Sequence, residues 1–244
     1  MTKEEQYLIS HSHDKCNECI NKNMITATGF LDMHEQTILA GERFGNRFVF
    51  YGGFDDAERK ILCFLPDYLE QPEGLSVLKA VHSGYKKLTH RDFLGSLMSL
   101  GIKRENIGDI LVSDNEAQII IKDEIGEYLL SNFASAGKSS LSLELLPISE
   151  LKISEAVAKE VSKTVASLRL DSVVSALFNI SRSLSCEFIA AGKVFLNSRE
   201  ILKPDKPISE GDKITLRTKG KAVITSASGT SKKGRIIIKA DLYT

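Results

Sequence analysis

Apolar residues recur along the chain at two spacings, near 3.6 and near 2, and the switches between them predict a mixed α+β protein. Residues 3–22 are mostly polar with a weak helical stripe, and Asp32 is placed to cap a short second helix over 33–41. The aromatic and β-branched run Arg47-Phe-Val-Phe-Tyr51 predicts a strand closed by Gly52-Gly53. Ile61-Leu-Cys-Phe-Leu65 predicts a buried one ended by Pro66. The turn Gln71-Pro-Glu-Gly74 then marks a boundary, so 1–74 is read as an N-terminal α/β region.

Residues 75–82 predict a further strand. Thr89 is placed to cap a helix over 90–100, with Phe93, Leu94, Leu97 and Met98 at helical spacing and Gly101 as its stop. Strands follow at 107–112 and 117–122, then a helix over 124–134 and an alternating strand at 141–146. The order βαββαβ over 75–147 predicts a ferredoxin-like, RRM-like domain. An RRM stacks bases on aromatics of its first and third strands. Here Leu78-Lys-Ala-Val-His82 and Ala117-Gln-Ile-Ile-Ile-Lys122 carry no aromatic, so the expected RNA contact is a secondary, charge-based one through Lys86, Lys87, Arg91, Lys103 and Arg104.

Residues 148–164 are polar and predict a linker with some helix, and 165–244 a last domain. Leu170, Val173, Val174 and Leu177 form the apolar face of one helix. Ser181 caps a second, which buries Leu184, Phe188 and Ile189, and Gly192 supplies its left-handed stop. Strands at 193–197 and 213–218 follow, each beside a turn (Asn197-Ser198, Gly211-Asp212), with further strands toward the C-terminus.

Composition changes this picture in one respect. The 244 residues are 42% hydrophobic and 26% charged, as in ordinary globular proteins. No apolar run reaches the roughly eighteen residues of a membrane helix, and the N-terminus lacks the order of a signal peptide. Four scattered cysteines make no disulfide framework, which fits the reducing cytoplasm, and the chain is expected to be a monomer. The net charge of zero conceals an asymmetry. Residues 1–160 hold 17 Lys and Arg against 25 Asp and Glu, a net −8, whereas 161–244 hold 15 against 7, a net +8. A polyanion partner is therefore expected for the C-terminal part.

Candidate catalytic motifs fail on spacing. Gly137-Lys138-Ser139 ends like a phosphate-binding loop, but Asn132 stands where the first glycine belongs, and the segment runs from helix to strand. His90-Arg91-Asp92 resembles a kinase loop without its asparagine, because Leu97 occupies that position. Cys16 and Cys19, with His11 and His13, are too crowded for the separated knuckles of a structural zinc site. No catalytic residue, metal or cofactor is expected.

The basic positions of the last domain point instead to RNA. A helix start has unpaired N–H groups and attracts phosphate. Arg182 in the first turn opposes the helix dipole, which favours an external anion as its partner. Arg169 precedes the first helix and Lys193 follows the second. With Ser181, Asn197 and Lys203 they make the expected RNA-binding set. Arg169-Leu-Asp171, Ser181-Arg182, Ile189-x-x-Gly192-x-Val194-x-x-Asn197 and Gly211-Asp212 resemble the S4 (αL) RNA-binding domain in order and spacing. Ser198 departs from it where glycine often follows the asparagine, and Cys186 where a small residue is usual.

Two further segments widen the resemblance. Tyr51-Gly-Gly-Phe-Asp-Asp-Ala-Glu-Arg-Lys60 and His90-Arg-Asp-Phe-Leu-Gly-Ser-Leu-Met-Ser-Leu-Gly-Ile-Lys-Arg-Glu105, followed by Gly108-Asp109-Ile110, are similar to the bacterial YlmH-type S4 proteins. That resemblance implies an RRM-like, RNA-binding middle domain and a non-enzymatic role on the large ribosomal subunit, in rescue of stalled nascent chains. The partners it implies are ribosomal RNA or tRNA. The competing expectation is an RNA-modifying enzyme of the pseudouridine synthase kind, docking through its S4 domain. Against it, the only Arg-Leu-Asp (169–171) lies in the S4 helix.

Overall fold

Thr2 opens the first helix, α1 (Lys3–Lys22), by a reciprocal cap: Glu5 donates its backbone N–H to the Thr2 hydroxyl, and its carboxylate accepts the Thr2 N–H. After β1 (Thr26–Ala27), Asp32 and Glu35 repeat that device at α2 (Met33–Ala40). Strands β2 (Phe48–Tyr51) and β3 (Ile61–Phe64) complete an antiparallel sheet ordered β1-β3-β2. Cys16 and Cys19 of α1 are buried among Leu31, Leu39, Leu62 and Phe64, and serve as core residues. The computed structural model describes residues 2–82, 87–153, 158–197, 199–217, 219–231 and 234–243.

The expected βαββαβ order follows as β4 (Leu75–His82), α3 (His90–Ser99), β5 (Ile107–Val112), β6 (Glu116–Lys122), α4 (Gly126–Asn132), the short β7 (Ser135–Ala136) and β8 (Ser139–Pro147). The antiparallel sheet runs β5-β6-β4-β8-β7, with the four long strands in ferredoxin-like order. The helix expected over 124–134 is shorter, because a 3-10 turn (Asp123–Ile125) precedes α4. Gly137-Lys138 is the turn between β7 and β8.

One face of this sheet packs Leu78, Ala80, Ile119 and Ile121 against Phe93 and Leu97 of α3 and Leu129 of α4. On the other face Leu75 and Ile120 lie under Phe30, Ile61, Cys63, Leu65, Ile148 and Leu151. Gln118 exchanges two hydrogen bonds with the Lys152 backbone there, at 2.9 and 2.8 Å. Part of the face that an RRM offers to RNA is thus covered by the chain itself.

The same seam explains the two YlmH-like segments. The half-buried Asp109 carboxylate accepts the N–H groups of Glu58 (2.7 Å) and Arg59 (3.1 Å). The Arg59 guanidinium donates to the carbonyls of Ile107, Phe30 and Arg104. A side chain at Gly52 would overlap the Ala57 methyl and come within 2.6 Å of the Arg59 carbonyl oxygen. Residues 1–154 accordingly form one compact unit, and 155–244 a second.

In the second unit a polar strand, β9 (Lys159–Val165), precedes α5 (Leu170–Leu177) and α6 (Arg182–Ala190). Then come β10 (Val194–Leu196), β11 (Arg199–Glu200), β12 (Lys213–Leu216), β13 (Gly220–Ser226) and β14 (Ile236–Tyr243). They form an antiparallel sheet ordered β11-β10-β12-β13-β14-β9. The segment 148–164, expected as a linker, therefore holds a 3-10 turn (Ile148–Glu150) that packs in the first unit and most of a strand that belongs to the second. Val173, Val174, Leu177 and Ile189 meet Val194, Ile214, Leu216, Ile224 and Ile238 in its core. Among the described residues no single helix is long and apolar enough to cross a membrane.

Candidate nucleic-acid interface

The helix pair α5 and α6 turns through 116°. Leu170, Val173, Val174 and Leu177 bury the apolar face of α5, while Ser185 and Ile189 bury that of α6. The two starts of these helices differ. At α5, the N–H groups of Leu170 and Asp171 donate to the carbonyls of Lys206 (2.9 Å) and Pro204 (3.0 Å), so a strap of chain closes that end. At α6, Ser181 supplies the expected cap, its hydroxyl accepting the Leu184 N–H at 3.2 Å. Gly192, expected as the stop, has φ +66°, and a side chain there would overlap the Glu200 carboxylate.

Arg182 finds an anion inside the protein. Its Nε and NH2 both lie 2.8 Å from Oδ2 of Asp171, and Arg169 Nε lies 3.3 Å from Oδ1. The sequence-based argument that the Arg182 charge awaits an external partner is corrected here: the misfit with the helix dipole is offset by a buried carboxylate. Asp171 is 3% exposed, whereas Arg182 and Arg169 are 58% and 44% exposed. Burial pushes the Asp171 carboxyl up, but the hydrogen bonds of Arg182 and Arg169 outweigh it and hold the group below its ordinary value. One carboxylate thus fixes the direction of two guanidinium groups and leaves a net positive charge with solvent-facing N–H groups. Ser185 Oγ donates to the Asp171 carbonyl at 3.0 Å and ties α6 to α5. Asp171 is the residue that spacing alone did not reveal, because its role depends on the angle between two helices.

The other expected positions divide. Lys193 is exposed, with its ammonium 5.2 Å above the Phe188 ring. Lys203 is exposed in the stretch between β11 and β12. Asn197 is a structural residue: at φ 51° its Nδ2 donates to Asp212 Oδ1 (2.7 Å) and its Oδ1 accepts the Lys213 N–H (2.9 Å). The neighbouring Ser198 lies outside the described residues.

The described members of the secondary set in the first unit differ in exposure and in partners. Lys86 lies outside the described residues. Lys87 pairs with Asp114 at 2.6 Å and Lys103 with Glu105 at 3.5 Å. Arg104 is turned inward, donating to the carbonyls of Ile107 and Gly108, and burial followed by the nearby Arg59 charge lowers its pKa to about 10. Arg91 alone of the four described side chains is an exposed cation without a described acid partner.

Two family models match the chain. One, described as "Putative RNA-binding domain in YlmH", covers residues 79–150, and the S4 domain model covers 168–214. The chain is 34% identical over 215 residues to the "Ribosome-associated protein quality control protein P2" of Bacillus subtilis, across 85% of this chain and 83% of the relative. It is also similar to a solved structure, the "Cell division protein ylmH from Streptococcus pneumoniae". That match has 26% identity and a TM-score of 0.51, over 63% of this chain and 97% of the other.

Proposed function

From the premise that this chain belongs to the YlmH-type family of S4-domain proteins, we propose that it is a non-enzymatic cytoplasmic factor gripping structured ribosomal RNA or tRNA on the large ribosomal subunit, in rescue of stalled nascent chains. The observation that carries this reading is the Arg169–Asp171–Arg182 triad beside the open start of α6. Two half-exposed guanidinium groups, held by a buried carboxylate next to the Arg182 and Ser183 N–H groups, which have no acceptor among the described residues, suit successive phosphates of a folded RNA. Such contacts read shape more than base sequence. Lys193 and Lys203 add exposed charge in the same domain. Association with the ribosome and a quality-control role are supported by the name of the Bacillus subtilis relative. The enzyme reading loses its one handle, since the aspartate of Arg169-Leu-Asp171 is buried beneath two arginines.

Ribosome co-sedimentation tests the proposal. Arg182→Gln combined with Lys193→Glu is expected to lower association with 50S particles by roughly tenfold or more at moderate salt, with the thermal transition retained. Arg182→Glu would set a carboxylate against Asp171, so the glutamine variant is the cleaner test. Unchanged co-sedimentation would refute the proposal. A nucleoside mass map of RNA from a deletion strain that lacks one modification would favour the enzyme instead.

A further inference from the structure

Beside Arg182 the second unit holds a cavity of about 310 Å³, lined by Thr164, Ala166, Ser172, Ser175 and Ala176 together with Arg235. Its walls are the end of β9, the outer face of α5 and the start of β14. The register places Ile236 opposite Val165, so Arg235 stands where the sheet meets the Ala166 turn. The Arg235 backbone is pinned at the neck of its loop: its N–H donates to Ser231 Oγ at 3.1 Å, and its carbonyl accepts the Ser231 N–H at 2.8 Å. The side chain is exposed and has no acid partner among the described residues. Two guanidinium groups and three hydroxyls line this cavity, with no carboxylate among the described lining residues. Asp171 neutralises one cation of the adjoining triad, so the corner keeps an excess of positive charge. Small side chains at 166, 172 and 176 keep it open.

We infer that this cavity seats a phosphodiester of the bound RNA between Arg182 and Arg235, and so carries the RNA track from the helix pair onto the β9–β14 corner. The inference rests on the RNA-binding reading and names Arg235, outside the segment matched to the S4 model, as a further contact. Arg182 supplies a guanidinium already aimed by Asp171, Arg235 supplies the opposing one, and the hydroxyls of Ser172 and Thr164 can donate to phosphate oxygens.

The test uses the full chain, with protein-free bacterial ribosomal RNA and intact bacterial 70S ribosomes as the two probes. Arg235→Ala should weaken both by roughly tenfold, and should reduce the slope of log affinity against log salt by about 0.7–0.9, the release of counterions from one phosphate. Ala166→Leu, which fills the cavity and removes no charge, should weaken both probes as well. Combining Arg235→Ala with Arg182→Ala should give less than the product of the single effects, as for two groups on one ligand. If Arg182→Ala weakens binding and Arg235→Ala changes neither affinity nor slope, the cavity inference falls and the broader proposal stands. If both variants bind as wild type, both fall. Loss on intact ribosomes with normal binding to free RNA would also overturn the inference, because the partner at Arg235 would then be a protein. Wild-type binding by Ala166→Leu would reduce Arg235 to long-range attraction and overturn the seating of a phosphate.

Discussion

Asp171 accepts from two arginines and from the Ser172 N–H while nearly all of its surface is buried. Removing such an acceptor leaves its donors without a fixed partner inside the fold, at a cost of about 2–3 kcal/mol. Asp171→Asn should therefore lower the midpoint of urea unfolding and loosen the direction of both guanidinium groups. The pH dependence has a definite sign. A carboxyl whose folded pKa is held below its usual 3.8 stabilises the protein fully above that value, and the contribution disappears as pH falls through the folded pKa. The stability gap between wild type and Asp171→Asn should thus be largest near neutrality and close in acid; a gap that stays constant down to pH 3 would contradict this. The sequence displayed Arg169, Asp171 and Arg182 but not their meeting, since the bridge spans eleven positions and depends on how α5 crosses α6. Asn197 illustrates the opposite case. A polar residue at a turn reads as a contact, yet its amide is used up by Asp212 and Lys213.

Elements with a strong local signal were legible. The caps at Asp32 and Ser181, the helix faces of α3 and α5, and the βαββαβ order all follow from spacing and from the chemistry of free N–H groups. Strand β9 was not legible, because Lys-Glu-Val-Ser-Lys-Thr-Val is a charged edge strand whose pairing lies roughly seventy to eighty residues away. The seam of the first unit was visible only as a pair of motifs, and its cause is packing. Gly52 has no room for a methyl group beside Ala57, so Gly52→Ala should destabilise by roughly 1–3 kcal/mol. Asp109→Ala should cost about 2–3 kcal/mol by freeing the Glu58 and Arg59 N–H groups. Chemical denaturation measures both. Neither variant should alter RNA affinity at temperatures where the protein stays folded, which separates the seam from the interface.

At the scale of the whole chain, charge is partitioned: a net −8 up to residue 160 and +8 beyond it. If RNA is held chiefly by the basic part, affinity should fall linearly on a log–log plot against salt, with a slope of roughly 0.7–0.9 for each phosphate contacted. Filter binding across a salt series measures that slope. A flat response would point to apolar or protein-mediated association. The partition was readable from composition, whereas the covering of the ferredoxin-like sheet was not, because it needs Phe30, Ile61 and Leu151 to converge from separate parts of the sequence.

The pairing of β9 with β14 has a consequence for synthesis. Lys159 is registered with Leu242 and Val165 with Ile236, and Ile238 and Ala240 of β14 belong to the core of the second unit. During translation β9 therefore waits for a partner made roughly seventy to eighty residues later, and the arginine-bearing corner closes only after that long loop has been paid for in chain entropy.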